Sequence, residues 1–276
     1  MYAGVPAAER GGHHARAARL LDERGAPTAR VAAQLVAATP GAGDPWVVDQ
    51  LRLAARADRS RGAPGHAAAL LRRALAEPPP AGQRGALLHE LGIAELRSAG
   101  PGAADSLAAA LELASGPALR AEIGHALGVA HYLAGRHHES VDVLAAVIEE
   151  VAAVPELREQ WLMLEAMLAT SGRYDLQTQT RVGSRIYDVA RRLTGVTPGE
   201  RAVLSIAAGR APGPTAADLF ATAQLEAAAI GALPVPNPTE GIGTAAMYLH
   251  AGRPDAAAEH VERMLAGARA SGSQPR

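Results

Sequence analysis

The chain has 276 residues, of which 48% are hydrophobic, so it holds enough apolar material for one or two packed domains. Its 27 basic residues are all arginine and are balanced by 28 acidic residues, which gives a formal net charge of −1 and no basic surplus for binding nucleic-acid phosphates. Cysteine is absent, which excludes disulfides and thiolate chemistry.

The sequence predicts no segment that enters or crosses a membrane. Its N-terminus lacks the continuous apolar core of a secretory signal, and no apolar run reaches the roughly 18 residues that a membrane span needs. We therefore expect a soluble cytoplasmic protein.

Helical periodicity runs through almost the whole chain, with glycine and proline at the breaks and no convincing strand. This pattern predicts an all-α fold made of successive helical hairpins. The predicted helices cover residues 12–24, 28–38, 45–60, 64–77, 82–99, 102–115, 118–134, 138–153, 156–171, 176–194, 198–209, 215–231, 243–251 and 254–270.

Proline-rich segments mark the expected changes of architecture. AEPPPAG lies near Pro78, and LPVPNPTEGI runs from Leu233 to Ile242, where we expect the array to break or bend. The predicted organisation is an N-terminal helical block over 1–60, helical repeats over 61–232, and a C-terminal hairpin over 233–276.

An internal repeat is visible between residues 85 and 151. The pairs Leu91-Gly92 and Leu127-Gly128 are 36 residues apart, close to one tetratricopeptide unit. In such a repeat the glycine of the first helix lets the second helix pack closely, and a small residue, here Ala104 or Ser140, lies where the two helices cross. Alanine, leucine and valine replace most of the aromatic residues of the tetratricopeptide signature, so the match to it is degenerate. The sequence predicts a right-handed solenoid of degenerate tetratricopeptide-like (TPR-like) repeats.

A Gly-Arg corner recurs after several predicted helices. It occurs at Gly135-Arg136, Gly209-Arg210 and Gly252-Arg253, with Gly172-Arg173 as a variant. Glycine after a helix predicts a left-handed C-cap, and an adjacent cation suits the negative end of the helix dipole.

The stretch HYLAGRHHESVDVL raises the question of a metal site. His137, His138, Glu139 and Asp142 carry suitable ligand atoms, but only His138 and Asp142 have the spacing of two ligands on one helix face. We therefore predict no metal and interpret the stretch as polar residues at a helix N-terminus with an acidic first turn.

Catalytic and nucleotide motifs give no assignment. GIGTAA at 241–246 follows a proline-rich loop where the dinucleotide fingerprint requires a strand, and a P-loop requires a lysine that the chain lacks. No Gly-x-Ser-x-Gly elbow is present. We predict no cofactor and name no catalytic residue, but an enzyme on a helical scaffold stays open.

The candidate binding residues lie on the first helices of the repeats. His89 and His125 occupy equivalent positions relative to the two Leu-Gly pairs, as do Arg97 and Leu133. In tetratricopeptide arrays this face lines the concave groove, where partners dock. The alternative is an ordinary polar surface. The candidate set is His89, Arg97, Glu122, His125 and Tyr132.

Several segments together resemble one family. They are PAAERGGHHARAARLLDERGAPTARVAAQLV, GDPWVVDQLRLAARADRSRGAPGHAAALLRRALAEPPP, LGIAEL, LAGRHHESVDVL, TPGERAVL and MYLHAGRPDAAAEHVERMLAGARASGS. Their order and spacing resemble the middle of the large ATP-binding regulators of the LuxR type from actinobacteria, a branch of the STAND ATPases. In these regulators such segments close a winged-helix domain and open a helical-repeat sensor region.

The departures from that family limit what the resemblance implies. The chain has neither the Walker-type ATPase nor the helix-turn-helix of the family, so neither activity carries over, and we expect no direct nucleic-acid partner. The resemblance implies a sensor and interaction role with a protein, peptide or small-molecule effector as partner. The alternative is a free-standing helical-repeat protein that binds or transforms a small molecule in its concave groove.

The resemblance also predicts a homodimer through the N-terminal block. A winged-helix remnant would lack its usual neighbours, which leaves apolar side chains of its two helices uncovered. The final helix, by contrast, should bury one stripe and act as a cap. The exposed residues are expected to be Ala17, Leu20, Leu21, Val31, Leu35 and Val36, and the stripe of the final helix Ala257, Val261, Leu265 and Ala268.

Overall fold

A computed structural model describes residues 7–41, 43–174, 176–208, 245 and 254–270. These residues form α-helices and no strand, which confirms the all-α prediction for the described part of the chain. The helices are α1 (Ala7–Glu23), α2 (Thr28–Ala37), α3 (Pro45–Ser60), α4 (Pro64–Ala76), α5 (Ala81–Arg97), α6 (Ala103–Leu113), α7 (Pro117–Leu133), α8 (His137–Val151), α9 (Arg158–Ser171), α10 (Leu176–Val182), α11 (Arg185–Ala190), α12 (Pro198–Ala208) and α13 (Pro254–Ala270).

One predicted helix is wrong. The single helix expected over 176–194 is divided into α10 and α11, and the break falls at Gly183-Ser184. Glycine and serine pairs are a common cause of sharp kinks because they favour non-helical conformations. The predicted helices 215–231 and 243–251 lie outside the described residues, apart from Ala245. The proline-rich loop from Leu233 to Ile242 also lies outside them.

The chain divides into two compact units, one ending at Leu113 and the other beginning at Ala114. In the first unit, buried residues from α1 to α5 form one continuous apolar cluster, so the N-terminal helices pack into the same core as α3 and α4. In the second unit, residues of α9, α11 and α12 build a cluster around Leu162, Ala166 and Val203. The predicted division of the chain into residues 1–60, 61–232 and 233–276 stays a prediction.

Two hairpins owe their close packing to glycine. A Cβ on Gly92 of α5 would lie 2.5 Å from Leu107 Cγ of α6, and one on Gly128 of α7 would lie 2.7 Å from Leu144 of α8. Only the missing side chain permits this approach. The small residue expected at each crossing is buried: Ala104 in α6 and Ser140 in α8.

The same contacts show that the partner helices run antiparallel. A Cβ on Gly85, near the start of α5, would meet Leu113 at the end of α6, whereas Gly92 faces Leu107 further back along α6. In the second hairpin Gly124 faces Val147 and the later Gly128 faces the earlier Leu144. Both pairs are therefore helical hairpins with equivalent internal contacts.

The Gly-Arg corner after α7 is a left-handed C-cap, as predicted. Gly135 has φ +73°, its N–H donates to the carbonyl of Tyr132 at 3.0 Å, and the N–H of Arg136 donates to the carbonyl of His131 at 2.9 Å. The variant corner differs, because Gly172 has φ −71° and lies in the right-handed region. A Cβ added at Gly172 would clash with Val182 Cγ2, so close packing is the reason for glycine there.

The apolar stripes of the terminal helices differ from the prediction. Val31 and Leu35 are buried in the core, while Leu20 and Val36 are each 51% exposed. In α13, Ala257 and His260 are buried and Val261 is 40% exposed, so the covered stripe is rotated away from the predicted one. No helix of the described residues is long and apolar enough to cross a membrane.

Candidate functional site

Several arginines lie on α3 and α5, which are the first helices of the hairpins α3-α4 and α5-α6 in the first unit. Arg52, Arg56 and Arg59 are spaced along one stripe of α3, at intervals of four and three residues. On α5, Glu90 and Arg97 are seven residues apart and so share a face. We call these five residues the arginine face.

The carboxylate of Glu90 joins the two helices. Its Oε1 atom accepts from Arg52 Nε at 3.0 Å and Nη2 at 2.8 Å, and from Arg56 Nε at 3.3 Å and Nη2 at 2.7 Å. Glu90 is only 14% exposed and its Oε2 is buried, with no hydrogen-bond partner among the described residues. One oxygen therefore accepts from both guanidinium groups while the other keeps an unused lone pair.

The electrostatics of Glu90 are set by two opposing effects. Burial raises the pKa of this carboxyl group, but the hydrogen bonds and positive charges of Arg52 and Arg56 outweigh burial and hold the pKa below its ordinary value. The same contact raises the pKa of Arg56. All three groups are charged at neutral pH.

Positive charge continues along the face beyond Glu90. Burial lowers the pKa of Arg97, and the positive charge of Arg59 lowers it further. Exposed Asp49, one turn before Arg52 on α3, adds a carboxylate at the edge. Counted together with Asp49, the face holds four arginines and two carboxylates, so arginines outnumber acidic residues there.

The predicted site residues of the first unit are His89 and Arg97. Arg97 is part of the arginine face. His89 precedes Glu90 on α5, is partly buried, and has its Nε2 inside the fold. The structure therefore places both on α5, one in a charged cluster and one beside it.

The other three predicted residues lie on α7 in the second unit and have different surroundings. Glu122 is exposed. His125 keeps part of its surface exposed, but its Nε2 is buried without a hydrogen-bond partner among the described residues, and burial lowers the pKa of the imidazole from 6.5 to about 4. His125 is therefore a neutral residue at physiological pH.

Tyr132 belongs to an aromatic cluster at the end of α7. Its ring lies 5.4 Å from those of His137 and Tyr174, and the His137 and Tyr174 rings stack at 4.9 Å. The two tyrosine hydroxyl oxygens are 2.8 Å apart, and the Arg173 guanidinium lies 5.4 Å from the Tyr174 ring centre. The corners after α7 and α9 thus meet through a hydrogen-bonded aromatic contact.

The histidines of that corner take part in contacts within the protein. His131 Nδ1 accepts from Arg136 Nε at 3.0 Å, and His137 is stacked in the aromatic cluster. Glu139 provides the acidic first turn expected for α8. Within the described ranges, no group of three or more histidine, cysteine or acidic side chains is arranged to hold a metal ion.

Comparison with known proteins adds no further assignment. The chain matches no model of a known protein family, and a search of curated proteins finds no match. Any function assigned to the chain therefore rests on the side chains described above and on the resemblance in sequence.

Sequence reasoning missed the residues that join α3 to α5. Arg52, Arg56 and Glu90 are separated along the chain by the whole of α4, so no local pattern links them. The sequence feature that could have indicated this site is the stripe of arginines on α3. Tyr174 was also missed, although a chain that is only 3% aromatic makes each tyrosine notable.

Proposed function

We propose that the chain is the helical-repeat sensor and interaction part of a LuxR-type transcriptional regulator and has no ATPase or DNA-binding activity of its own. In this proposal the hairpins are degenerate TPR-like repeats of a right-handed solenoid. A regulator of this type works beside DNA, so the proposed location is the cytoplasm.

The observation that carries the proposal is the equivalence of two hairpins that follow each other in the sequence. Gly92 and Gly128 are 36 residues apart, and each allows the second helix of its hairpin to approach closely. A repeated supersecondary unit with this period is typical of arrays that bind partners along their first helices. The arginines on α3 and α5 support a binding role for the first helices of the first unit.

Assays of binding and of chemical turnover distinguish the proposed sensor from the alternative, a free-standing protein that binds or transforms a small molecule. Immobilised full chain would be used to select binders from a displayed peptide library, and soluble chain would be screened by thermal shift against metabolites. We expect saturable binding of at least one peptide or effector without conversion of it. Repeated turnover of a metabolite would replace the proposal with the free-standing small-molecule protein, and no binder in either screen would overturn it.

A further inference from the structure

A histidine and an aspartate form a hydrogen-bonded pair at the corner between α3 and α4. His66 is the third residue of α4, and its Nδ1 atom is bonded to Oδ2 of Asp58, which lies near the end of α3. The imidazole side chain is 67% exposed, whereas the side chain of Asp58 is 9% exposed. An accessible histidine is therefore held by an almost fully buried carboxylate.

The contact with Asp58 determines which ring nitrogen of His66 carries the proton. An ionised carboxylate only accepts hydrogen bonds, so Nδ1 is the donor and bears the hydrogen. In the neutral ring the lone pair is then on Nε2. His66 thus offers an unprotonated, nucleophilic nitrogen on a mostly exposed side chain.

Local backbone contacts hold the two residues in place. The N–H of Ala63 donates to the carbonyl of Asp58 at 2.9 Å, and Gly62 has φ +76°, a left-handed conformation that ends α3. Pro64 then begins α4. Both residues of the pair are therefore positioned by a single corner of the fold.

Two positive features lie beside the pair. Arg61 Nη2 donates to Oδ1 of Asp58, and the Arg61 side chain is 61% exposed. His66 belongs to the first turn of α4, where the N-cap residue Ala63 provides no side-chain hydrogen bond. An arginine and the start of a helix both favour negative charge. These surroundings therefore favour an anionic group on Nε2.

A nucleophilic nitrogen beside positive features suits transfer of a phosphoryl group. When Nε2 bonds to phosphorus, the imidazole ring becomes positively charged because Nδ1 keeps its proton. Asp58 stabilises that charge through the existing hydrogen bond, as the aspartate of a catalytic triad does for its histidine. An acyl group carries no negative charge, so the same surroundings favour it less.

From this geometry we propose that His66 is a phosphorylation site, which accepts a phosphoryl group at Nε2 from a phosphohistidine of another protein. The Nε2 lone pair forms the new N–P bond, the N–P bond of the donor breaks, and the donor nitrogen keeps that electron pair. The proton on Nδ1 stays hydrogen-bonded to Asp58, and nothing is oxidised or reduced. This inference goes beyond the interaction role proposed above and does not depend on it.

The test uses the full chain and potassium phosphoramidate, a small donor with one N–P bond. His13 of α1 is the internal control, because it is exposed and forms no ion pair with a carboxylate among the described residues. Mass spectrometry at successive times measures phosphorylation of each histidine. We expect His66 to react at least about tenfold faster than His13, since the charge-assisted hydrogen bond stabilises the product only at His66. Equal rates at the two histidines would overturn the proposal.

Variants separate the charge of Asp58 from its hydrogen bond. Asp58→Asn keeps an acceptor for Nδ1 but removes the negative charge, so phosphorylation of His66 should slow by about tenfold while that of His13 stays unchanged. His66→Gln should remove the fast reaction altogether. Circular dichroism checks that both variants are folded. A folded Asp58→Asn variant that reacts as fast as the wild type contradicts the proposal.

NMR of the wild type tests the same site without any substitution. Nitrogen NMR of the neutral imidazole should place the proton of His66 on Nδ1, and phosphorus NMR of the product should show the phosphoryl group on Nε2. A proton on Nε2 in the neutral ring, or a phosphoryl group on Nδ1, would overturn the proposal whatever the variants show.

Discussion

Ser140 and Ser171 form a buried pair whose Oγ atoms are 2.7 Å apart, and Ser140 Oγ also donates to the carbonyl of Gly128 at 2.8 Å. Because Ser140 has one hydroxyl proton and uses it on Gly128, Ser171 is the donor within the pair. Both serines are fully buried. The pair therefore connects α7, α8 and α9 through one chain of hydrogen bonds.

Substitution of either serine alone should lower the free energy of unfolding by more than half of the loss in the double variant. Ser140→Ala leaves the buried Ser171 hydroxyl without its acceptor, and we expect a loss of about 1 to 2 kcal/mol in the free energy of unfolding by urea. The double variant Ser140→Ala/Ser171→Ala should lose less than the two single variants together. Ser60→Ala, at an exposed hydroxyl, should change stability by less than about 0.5 kcal/mol. Strict additivity would show that the two hydroxyls are not coupled.

Gly92 tests whether close packing or helix propensity dominates. Alanine normally stabilises a helix interior by about 1 kcal/mol relative to glycine. At Gly92 the new Cβ would lie 2.5 Å from Leu107 Cγ and 3.2 Å from the Leu107 backbone nitrogen, so the helices must separate. We expect Gly92→Ala to lower the free energy of unfolding by about 1 to 3 kcal/mol.

The matched control for Gly92 is Gly12 in α1, where an added Cβ meets nothing within 4 Å. Gly12→Ala should be neutral or stabilising by up to about 1 kcal/mol. Thermal melts of both variants measure the two changes in stability. If Gly92→Ala also stabilised the protein, the close approach of α5 and α6 would not depend on glycine.

The success of the predicted helices has a local cause. Pro45, Pro64 and Pro117 stand at the first position of their helices, where the fixed φ of proline and its missing N–H are tolerated, so the starts could be read from the sequence. The prediction of a single helix over 176–194 failed because Gly183 and Ser184 lie inside an otherwise helical pattern. That pattern does not reveal whether such a pair bends or breaks a helix.

The candidate site was less accessible to sequence reasoning. The repeat alignment identified Arg97 and Tyr132 from their helix positions, but their neighbours come from distant parts of the chain. Tyr174 meets Tyr132 across 42 residues, and Arg52 meets Glu90 across 38. These contacts depend on how each helix is rotated within the packed hairpins, which helical periodicity alone does not fix.

His125 should make stability depend on pH between neutrality and about pH 4. The unfolded chain binds a proton on this residue near pH 6.5, whereas the folded chain binds it near pH 4, so mild acid favours the unfolded state. Stability is therefore retained above pH 6.5 and lost as the pH falls. Between pH 7 and pH 5 we expect a loss of about 2 kcal/mol from His125.

Urea unfolding of the wild type and of His125→Gln at a series of pH values measures this contribution. Glutamine does not titrate, so the variant should lose about 2 kcal/mol less than the wild type between pH 7 and pH 5, whatever its absolute stability. Parallel pH profiles for the two proteins would show that His125 is not the group responsible.

The ion pair between Glu165 and Arg185 should be sensitive to removal of its cation. Glu165 in α9 is 1% exposed and accepts from Arg185 Nε and Nη2 at 2.6 to 3.0 Å. Arg185→Ala leaves a buried carboxylate without this partner, and we expect a loss of about 3 to 5 kcal/mol. Chemical denaturation followed by circular dichroism measures it.

Two comparisons separate burial from charge in this pair. Arg263→Ala breaks an ion pair to Glu259, which is 70% exposed, and should cost less than about 0.5 kcal/mol. Glu165→Met/Arg185→Met removes both charges and should be more stable than Arg185→Ala. If Arg185→Ala cost no more than Arg263→Ala, the pair would contribute as little as an ordinary surface contact.

Self-association through the N-terminal helices stays a prediction, and the structure identifies the residues that test it. Leu20 of α1 and Val36 of α2 are each 51% exposed, whereas Val31 and Leu35 are covered by the core of the first unit. Burial of an exposed aliphatic side chain contributes about 1.5 to 3 kcal/mol. A symmetric interface would bury both residues from each copy, and the cost of association cancels part of that gain, so we expect a weak dimer.

Substitution tests this dimer more cleanly than deletion of residues 1–60, because deletion would remove Val48 and Leu51 from the apolar cluster that they share with Leu70. Light scattering on the full chain should give a molar mass above the 28.3 kDa of one copy, rising with concentration. Leu20→Gln/Val36→Gln should return it to the value of one copy. Leu176→Gln, at a leucine that is 78% exposed in the second unit, should not change the mass. A wild type that stays monomeric at every concentration, or a dimer that the double variant does not disrupt, would show that these two residues do not form the contact.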